Sequence, residues 1–144
     1  MQYDAVVLAG GESSSELKKI APYDNEALII IGDFPMIFYV YRALRASTAI
    51  RNIVVSGPRE ALLSILPRED RLFFVEAGEN AIQSFTNAVR FLQQKGSTDK
   101  ILVLPTDIPF ITPEAIDDFL STCEESDNDF YYALTRKETN DQKF

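Results

Sequence analysis

Residues 5–11, AVVLAGG, decide the fold of this chain, because an apolar run stops there at Gly10 and Gly11. A continuous apolar run bounded by glycines predicts a strand that is buried on both faces, as in the centre of a parallel sheet. Glycine has no Cβ, so backbone N–H groups after such a strand approach a ligand closely, and they often hold phosphates. The two glycines are also compatible with a plain turn that binds no ligand. Features elsewhere in the chain are needed to distinguish the two interpretations.

Strands and helices alternate outward from this first strand. Further apolar runs predict strands at residues 52–56, 71–75, 100–104 and 129–134. Helical spacing and start signals predict helices between them, at residues 35–46, 59–66, 80–95 and 112–123. In the third of these helices we expect an inward face of Ile82, Phe85, Val89 and Leu92. The alternation predicts an α/β fold with a mostly parallel sheet and right-handed crossovers.

The composition limits the size of the fold and its partners. A chain of 144 residues that is 46% hydrophobic is long enough for one domain with a core. Its 14 basic and 22 acidic residues give a net charge of −8, so no basic face is available for nucleic acid. A nucleotide could still bind through backbone N–H groups and a divalent cation, which makes Mg²⁺ the expected cofactor.

Two features of the composition exclude other chemistry. The chain has no histidine and only one cysteine, Cys123, which excludes histidine-based triads, zinc sites and an internal disulfide. The N-terminus enters a strand without a basic leader, and no apolar run is long enough to span a bilayer. We therefore expect a cytoplasmic protein without a membrane partner.

Asp107 is the second candidate for the site. It follows the apolar run at residues 100–104, within the segment PTDIP. In an open parallel sheet the ligand crevice lies where the strand order reverses, which here falls between the first strand and the strand at 100–104. A carboxylate at that point is a ligand that Mg²⁺ prefers. Alternatively, Asp107 only stabilises the turn before Pro109.

Four segments together carry a resemblance to a known family. They are LAGG at residues 8–11, NEALIIIGDFPMIFYVYRAL at 25–44, GENAIQSF at 78–85 and LPTDIPFITPEAIDDF at 104–119. In order and spacing the chain resembles the molybdopterin guanylyltransferase-like NTP transferases over nearly its whole length. The resemblance implies a Rossmann-like three-layer αβα domain of the glycosyltransferase-A type. It also implies that residues 1–144 are the N-terminal portion of a longer nucleotidyltransferase domain, truncated at its C-terminus.

The resemblance further implies a reaction and its residues. An NTP, with GTP as one candidate, binds with Mg²⁺, and its nucleoside monophosphate passes to a phosphorylated acceptor with release of pyrophosphate. Asp107 is the implied metal ligand, and Asn80 lies near the base or ribose, although a helix-capping role explains Asn80 equally well. The implied nucleotide contacts are made by the backbone of Leu8, Ala9, Gly10 and Gly11.

The chain departs from the family pattern in two places. The family has an arginine, a small residue and a glycine beyond LAGG, followed by a lysine, but this chain has SSSELKK and Glu26. Lys18 and Lys19 are then the candidate catalytic cations. The family's C-terminal half, which supplies the acceptor site, has no counterpart here. We therefore expect the 144-residue chain alone to be inactive, and the strand at 129–134 to lack its partner, with dimerisation or disorder at that end.

Two other functions stay open at this stage. A non-catalytic nucleotide-sensing or interaction module would retain the fold without turnover, and Glu26 favours it. A flavodoxin-like or dehydrogenase-type enzyme is the third possibility, but GxGxxG is absent after the first strand. No acidic residue closes the strand at 52–56 either, so the dinucleotide fingerprint is missing.

Overall fold

Strands and helices alternate in the structure as the sequence predicts. The computed structural model describes residues 2–10, 25–96 and 100–133, with Glu26 described by its backbone alone. In chain order the elements are β1 (Tyr3–Leu8), a 3-10 turn (Glu26–Leu28), β2 (Ile30–Ile31), β3 (Phe34–Pro35), α1 (Met36–Ala46), β4 (Ile50–Ser56), α2 (Arg59–Ile65), β5 (Leu72–Val75), α3 (Ala81–Gln94), β6 (Ile101–Pro105) and α4 (Pro113–Glu124).

A four-stranded parallel sheet in the order β5-β4-β1-β6 lies at the centre. Strand β1 pairs with β4 on one side and with β6 on the other, and its last residue, Leu8, lies opposite Ser56 and Pro105. The chain thus runs outward from β1 to β5 and returns to the other side of β1. The predicted reversal of strand order between β1 and β6 is confirmed.

Helices cover both faces of the sheet, because successive residues of a strand point to opposite faces. Ala5 and Val7 face a core to which α1, α2 and α4 contribute Leu44, Leu62 and Leu120. Val6 faces the opposite core, which α3 covers through two further side chains, Ala88 and Leu92. The three-layer αβα arrangement is confirmed.

The helix starts follow the predicted signals. Asn80 accepts a hydrogen bond from the backbone N–H of Gln83 at the start of α3, and Thr112 accepts one from Ala115 at the start of α4. Such caps satisfy backbone N–H groups that have no partner within the helix. Within the described residues, none of the helices has the length and apolar character needed to cross a bilayer. The cytoplasmic location stays a prediction.

The inward face predicted for α3 is partly wrong. Ile82 is 79% exposed, whereas the buried residues of this helix are Ser84, Ala88 and Leu92. These three lie four residues apart and form one stripe toward the sheet. Small side chains at the first two positions let the helix approach the strands closely.

The strand predicted at residues 129–134 is also wrong for the part that the structure describes, because residues 129–133 form no strand. The Tyr131 hydroxyl bonds back to Ser126 and accepts from the N–H of Asn128, and the Lys100 ammonium lies over its ring. These contacts fold the segment onto itself, and β propensity alone cannot extend a strand without a neighbour. Dimerisation through this end stays a prediction.

Candidate functional site

The loop after β1 is held tightly against the neighbouring strands. The N–H of Ala9 donates to the carbonyl oxygen of Ser56 at 2.8 Å, so the backbone continues past the strand end in a fixed path. A Cβ added at Gly10 would lie 2.7 Å from the Cβ of Ala77, which is closer than such atoms approach each other. Glycine is therefore required at position 10 by the closeness of Ala77.

A second loop, from β5 to α3, lies beside the first. The N–H of Gly78 donates to Ser84 Oγ at 2.9 Å, and Ser56 Oγ donates to the carbonyl oxygen of Ser84 at 3.2 Å. Ser84 Oγ is 3.7 Å from the position of a Cβ at Gly10. Buried Ser84 thus joins the loop before α3 to the end of β4 and lies close to Gly10, and the sequence reasoning missed it. A small polar residue on the inner stripe of a helix is the only signal that could have identified it.

Asp107 lies at the same end of the sheet as Gly10. Leu8 of β1 pairs with Pro105 of β6, and Gly10 and Asp107 each come two residues after that pair. Neighbouring strands are about 4.8 Å apart, so the two loops begin side by side at this end of the sheet. Thr106 is buried, whereas Asp107 is exposed. The carboxylate is therefore available to a ligand at this end of the sheet.

The residues present fit Mg²⁺ that is held jointly with phosphates. Among the described residues no group of three or more acidic, histidine or cysteine side chains could enclose a metal by itself. Mg²⁺ usually takes only one or two carboxylates from the protein and completes its shell with water and substrate phosphates. The exposed Asp107 is compatible with this kind of shared binding and is the described residue at this end of β6 that could hold the ion.

Asn25 brings a further segment to the end of β1. Its Nδ2–H donates to the carbonyl oxygen of Ala9 at 2.7 Å, and its Oδ1 accepts from the N–H of Ala27 at 2.8 Å. The 3-10 turn Glu26–Leu28 is therefore anchored beside the glycine loop. Asn25 begins the segment at residues 25–44, which is part of the family resemblance, but it was not among the predicted site residues.

The other predicted site residues have separate outcomes. Leu8 ends β1 and is half-buried, and Asn80 caps α3 with its Oδ1, as one of its two expected roles requires. Lys18 and Lys19 lie outside the described residues, as do Gly11 and the side chain of Glu26. The nucleotide contacts themselves stay predictions.

The fold is that of a Rossmann-like αβα domain, with a glycine loop and a carboxylate at the topological switch point. The family model of the MobA-like NTP transferase domain matches residues 5–141. The chain belongs to this family, as the four sequence segments imply. No curated protein matches the sequence significantly.

Solved structures that superpose on this chain include nucleotidyltransferases. A hypothetical transferase from Thermus thermophilus superposes with a TM-score of 0.66 at 23% identity, over 85% of this chain and 47% of that one. The 2-C-methyl-D-erythritol 4-phosphate cytidylyltransferase from the same organism gives 0.58 at 17% identity, over 88% and 51%. A CMP:2-keto-3-deoxy-manno-octonic acid synthetase complexed with CTP gives 0.60 at 18% identity, over 87% and 48%. This chain spans about half the length of these structures.

Proposed function

We propose that this chain is the NTP-binding part of a nucleotidyltransferase that transfers NMP from an NTP to a phosphorylated acceptor and releases pyrophosphate. One observation carries the proposal: the Gly10 loop and Asp107 follow a paired position on neighbouring parallel strands, in a member of an NTP transferase family. The chain spans about half the length of its structural neighbours. Catalytic turnover and the acceptor site are therefore also part of this proposal.

Backbone groups are the proposed phosphate ligands. The net charge of −8 means that the protein as a whole repels a triphosphate, so binding requires local positive dipoles and a counter-ion. Gly10 is exposed at the end of a buried strand, and its main-chain N–H is the proposed donor to a phosphate. Leu8 and Gly11 are the further backbone contacts in the proposal. The backbone of Ala9 is a poorer candidate than the sequence suggested, because Ala9 is buried, its N–H bonds to Ser56 and its carbonyl oxygen bonds to Asn25.

Asp107 is the proposed metal ligand, and positioning is the main catalytic contribution of the chain. Mg²⁺ bound there together with the triphosphate would neutralise phosphate charge.

In the proposed reaction an acceptor phosphate oxygen forms a bond to the α-phosphorus. The bond from the α-phosphorus to the bridging oxygen breaks, and pyrophosphate leaves with that electron pair. Holding the triphosphate in line with the acceptor supplies most of the rate enhancement in such transfers. Lys18 and Lys19 are the proposed additional cations.

The base is proposed from the resemblance and from the names of the neighbours. The molybdopterin guanylyltransferase-like pattern makes GTP the first candidate. One neighbour is a cytidylyltransferase and another is complexed with CTP, so CTP is the second. Asn80 is the proposed contact to base or ribose, because it begins α3 directly after the loop that touches Gly10.

The test is isothermal titration of the chain with GTP, CTP, UTP and ATP, each with and without Mg²⁺. We expect binding of at least one NTP that strengthens with Mg²⁺, and loss of the Mg²⁺ dependence in Asp107→Asn. Asp118→Asn is the matched control, because it removes the same charge from an exposed aspartate in α4. No heat with any NTP would contradict the proposal, as would equal Mg²⁺ dependence in wild type and Asp107→Asn.

A non-catalytic nucleotide-sensing module is the second candidate, because Glu26 stands where the resemblance implies a lysine. A carboxylate cannot neutralise phosphate charge as a cation does. This alternative predicts nucleotide binding without pyrophosphate release, even in the longest natural form of the protein. Measured release of pyrophosphate with a phosphorylated acceptor would decide for the enzyme.

A further inference from the structure

The carbonyl oxygen of Ala9 has two close neighbours. Asn25 donates to it at 2.7 Å through Nδ2–H. The backbone of Gly57 also passes near it, since a Cβ added at Gly57 would lie only 2.9 Å from the same oxygen. Ala9 itself is 1% exposed. The direction of this carbonyl group is therefore determined by a side chain from a distant part of the sequence and by a close backbone approach.

The same peptide unit carries the N–H of Gly10. The described residues contain no cis peptide bond, and in a trans peptide the C=O and N–H point in opposite directions. The bond from Asn25 to the Ala9 oxygen therefore directs the Gly10 N–H away from Asn25. Within the described part of the chain the Gly10 N–H has no hydrogen-bond acceptor, and Gly10 is exposed.

We propose that Asn25 is a positioning residue of the nucleotide site, which acts through the Ala9 carbonyl to aim the Gly10 N–H at a phosphate of the NTP. The inference rests on the proposed function and adds a residue to its site. Glycine gives the backbone more conformational freedom than other residues, so without this bond the peptide before Gly10 would have to be ordered on binding. Fixing the donor in advance removes that entropic cost from the binding free energy.

The two hydrogen bonds of Asn25 separate its local role from the proposed one. Its Oδ1 accepts from the N–H of Ala27, two residues later, which is a turn that a serine hydroxyl forms as well. The amide Nδ2–H donates to the carbonyl oxygen of Ala9, and a serine side chain is too short to replace this donor. Asn25→Ser therefore keeps the local turn and removes the contact with Ala9.

The experiment compares Asn25→Ser and Asn25→Ala with Ser47→Ala. Ser47 is a matched control, since it accepts from the N–H of Ala49 two residues later and donates to Asp117, before the start of β4. The NTP that wild type binds is titrated calorimetrically into each variant, and melting temperatures are recorded. We expect about tenfold weaker binding in both Asn25 variants, the size of one hydrogen bond to a charged group, and less than about a twofold change in Ser47→Ala.

The chemical shift of the Gly10 amide proton, measured by NMR, distinguishes the proposed role of Asn25 from a purely structural one. On addition of the NTP, the Gly10 amide proton of wild type should shift strongly, and in Asn25→Ser it should shift much less at saturating ligand. Unchanged affinity in Asn25→Ser, or a wild-type Gly10 amide that does not respond to bound NTP, would overturn the inference alone. If wild type binds no NTP, the proposed function fails and this inference fails with it. Should Asn25→Ala not fold, Asn25→Ser carries the test.

Discussion

The two ends of the central sheet are held together by different kinds of contact. At the carboxyl ends of the strands, backbone groups and neutral side chains make the contacts: Ala9 bonds to Ser56, and Gly57 bonds to Val75 at 3.0 Å. At the amino ends, charged side chains take part in addition to the backbone. Arg51 pairs with Asp4 at 3.2 Å, and the Tyr3 hydroxyl donates to Glu124 at 2.9 Å.

This difference predicts which substitutions change stability alone and which also change nucleotide binding. At the carboxyl end, the Gly10 N–H has no acceptor within the described part of the chain, and Asp107 is exposed. At the amino end, the charged contacts include the fully buried Asp4. We therefore expect substitutions at the amino end to lower stability alone, and substitutions at the carboxyl end to alter nucleotide binding as well.

The largest effect on stability is expected at the amino end, for Asp4→Ala. The Asp4 carboxylate accepts from Arg51 and from the N–H of Asn52, and the substitution leaves both donors without it. Removing one partner of a buried pair costs several kcal/mol, and partial exposure of Arg51 reduces this to about 3 kcal/mol. Urea unfolding measures the loss, with exposed Asp70→Ala as control. Nucleotide affinity of the folded fraction should not change; a weakened affinity would break the separation between the two ends.

Gly57→Ala tests the carboxyl end and should cost about 2 kcal/mol, because the new Cβ meets the Ala9 carbonyl group and overpacking strains the loop. The contact is with backbone, 2.9 Å from the oxygen and 3.1 Å from the carbon, so no side chain can rotate away. We expect nucleotide binding to weaken together with stability.

Gly96→Ala is the control for that change, at the other end of α3. Gly96 has a φ of 76° and open space around its Cα, so alanine costs conformational energy there without a clash. Its destabilisation should leave nucleotide affinity intact. Equal loss of affinity in both variants would mean that stability alone controls binding.

The two helix caps at the carboxyl end sharpen the comparison further. Asn80→Ala and Thr112→Ala each remove one cap and should each cost about 1 kcal/mol in thermal unfolding. We expect only Asn80→Ala to weaken nucleotide binding in calorimetric titration, since α3 starts beside the Gly10 loop. Matching affinities for the two variants would leave Asn80 with its capping role alone.

The smallest effect is expected for Tyr3→Phe, about 0.5 kcal/mol near neutral pH, from one hydrogen bond. Burial, together with the hydrogen bond to Glu124, raises the pKa of Tyr3 to about 12 from an ordinary value of 10.0. The folded state thus keeps the proton to higher pH than the unfolded chain. Stability from this group is complete below about pH 10 and is lost as the pH rises toward about 12.

Unfolding by urea between about pH 9 and about pH 12 measures this dependence. Stability of Tyr3→Phe should fall less steeply with pH than that of wild type. Part of the slope should remain, since burial also raises the pKa of Tyr41. Identical slopes would show that Tyr3 is not protected at the amino end of the sheet.

Much of the fold could be predicted from local patterns, since apolar runs report burial directly. The runs at 52–56 and 71–75 correspond to Ile50–Ser56 and Leu72–Val75 in the structure. The two errors arose where burial depends on distant neighbours. Ile82 is apolar but exposed, because the sheet selects the stripe through Ser84 instead. The apolar run at 129–134 has no neighbouring strand in the described chain to extend it.

For the candidate site, the sequence identified Gly10 and Asp107, because each closely follows an apolar run. It did not identify Asn25 and Ser84, because an asparagine before a turn and a serine in a helix are common and carry no distinctive pattern. Their contacts cross long stretches of chain, from Asn25 to Ala9 and from Ser84 to Ser56.

By itself, the sequence determined the αβα class, the strand that ends in glycine and the family, because periodicity and motif order are properties of neighbouring residues. Only the tertiary structure decided which loops meet at the end of β1, and that the Ala9 carbonyl oxygen lies close to both Asn25 and Gly57. The physical reason is that parallel strands bring together segments that are far apart in the chain. Hydrogen bonds and close approaches between such segments depend on packing, which no local pattern encodes.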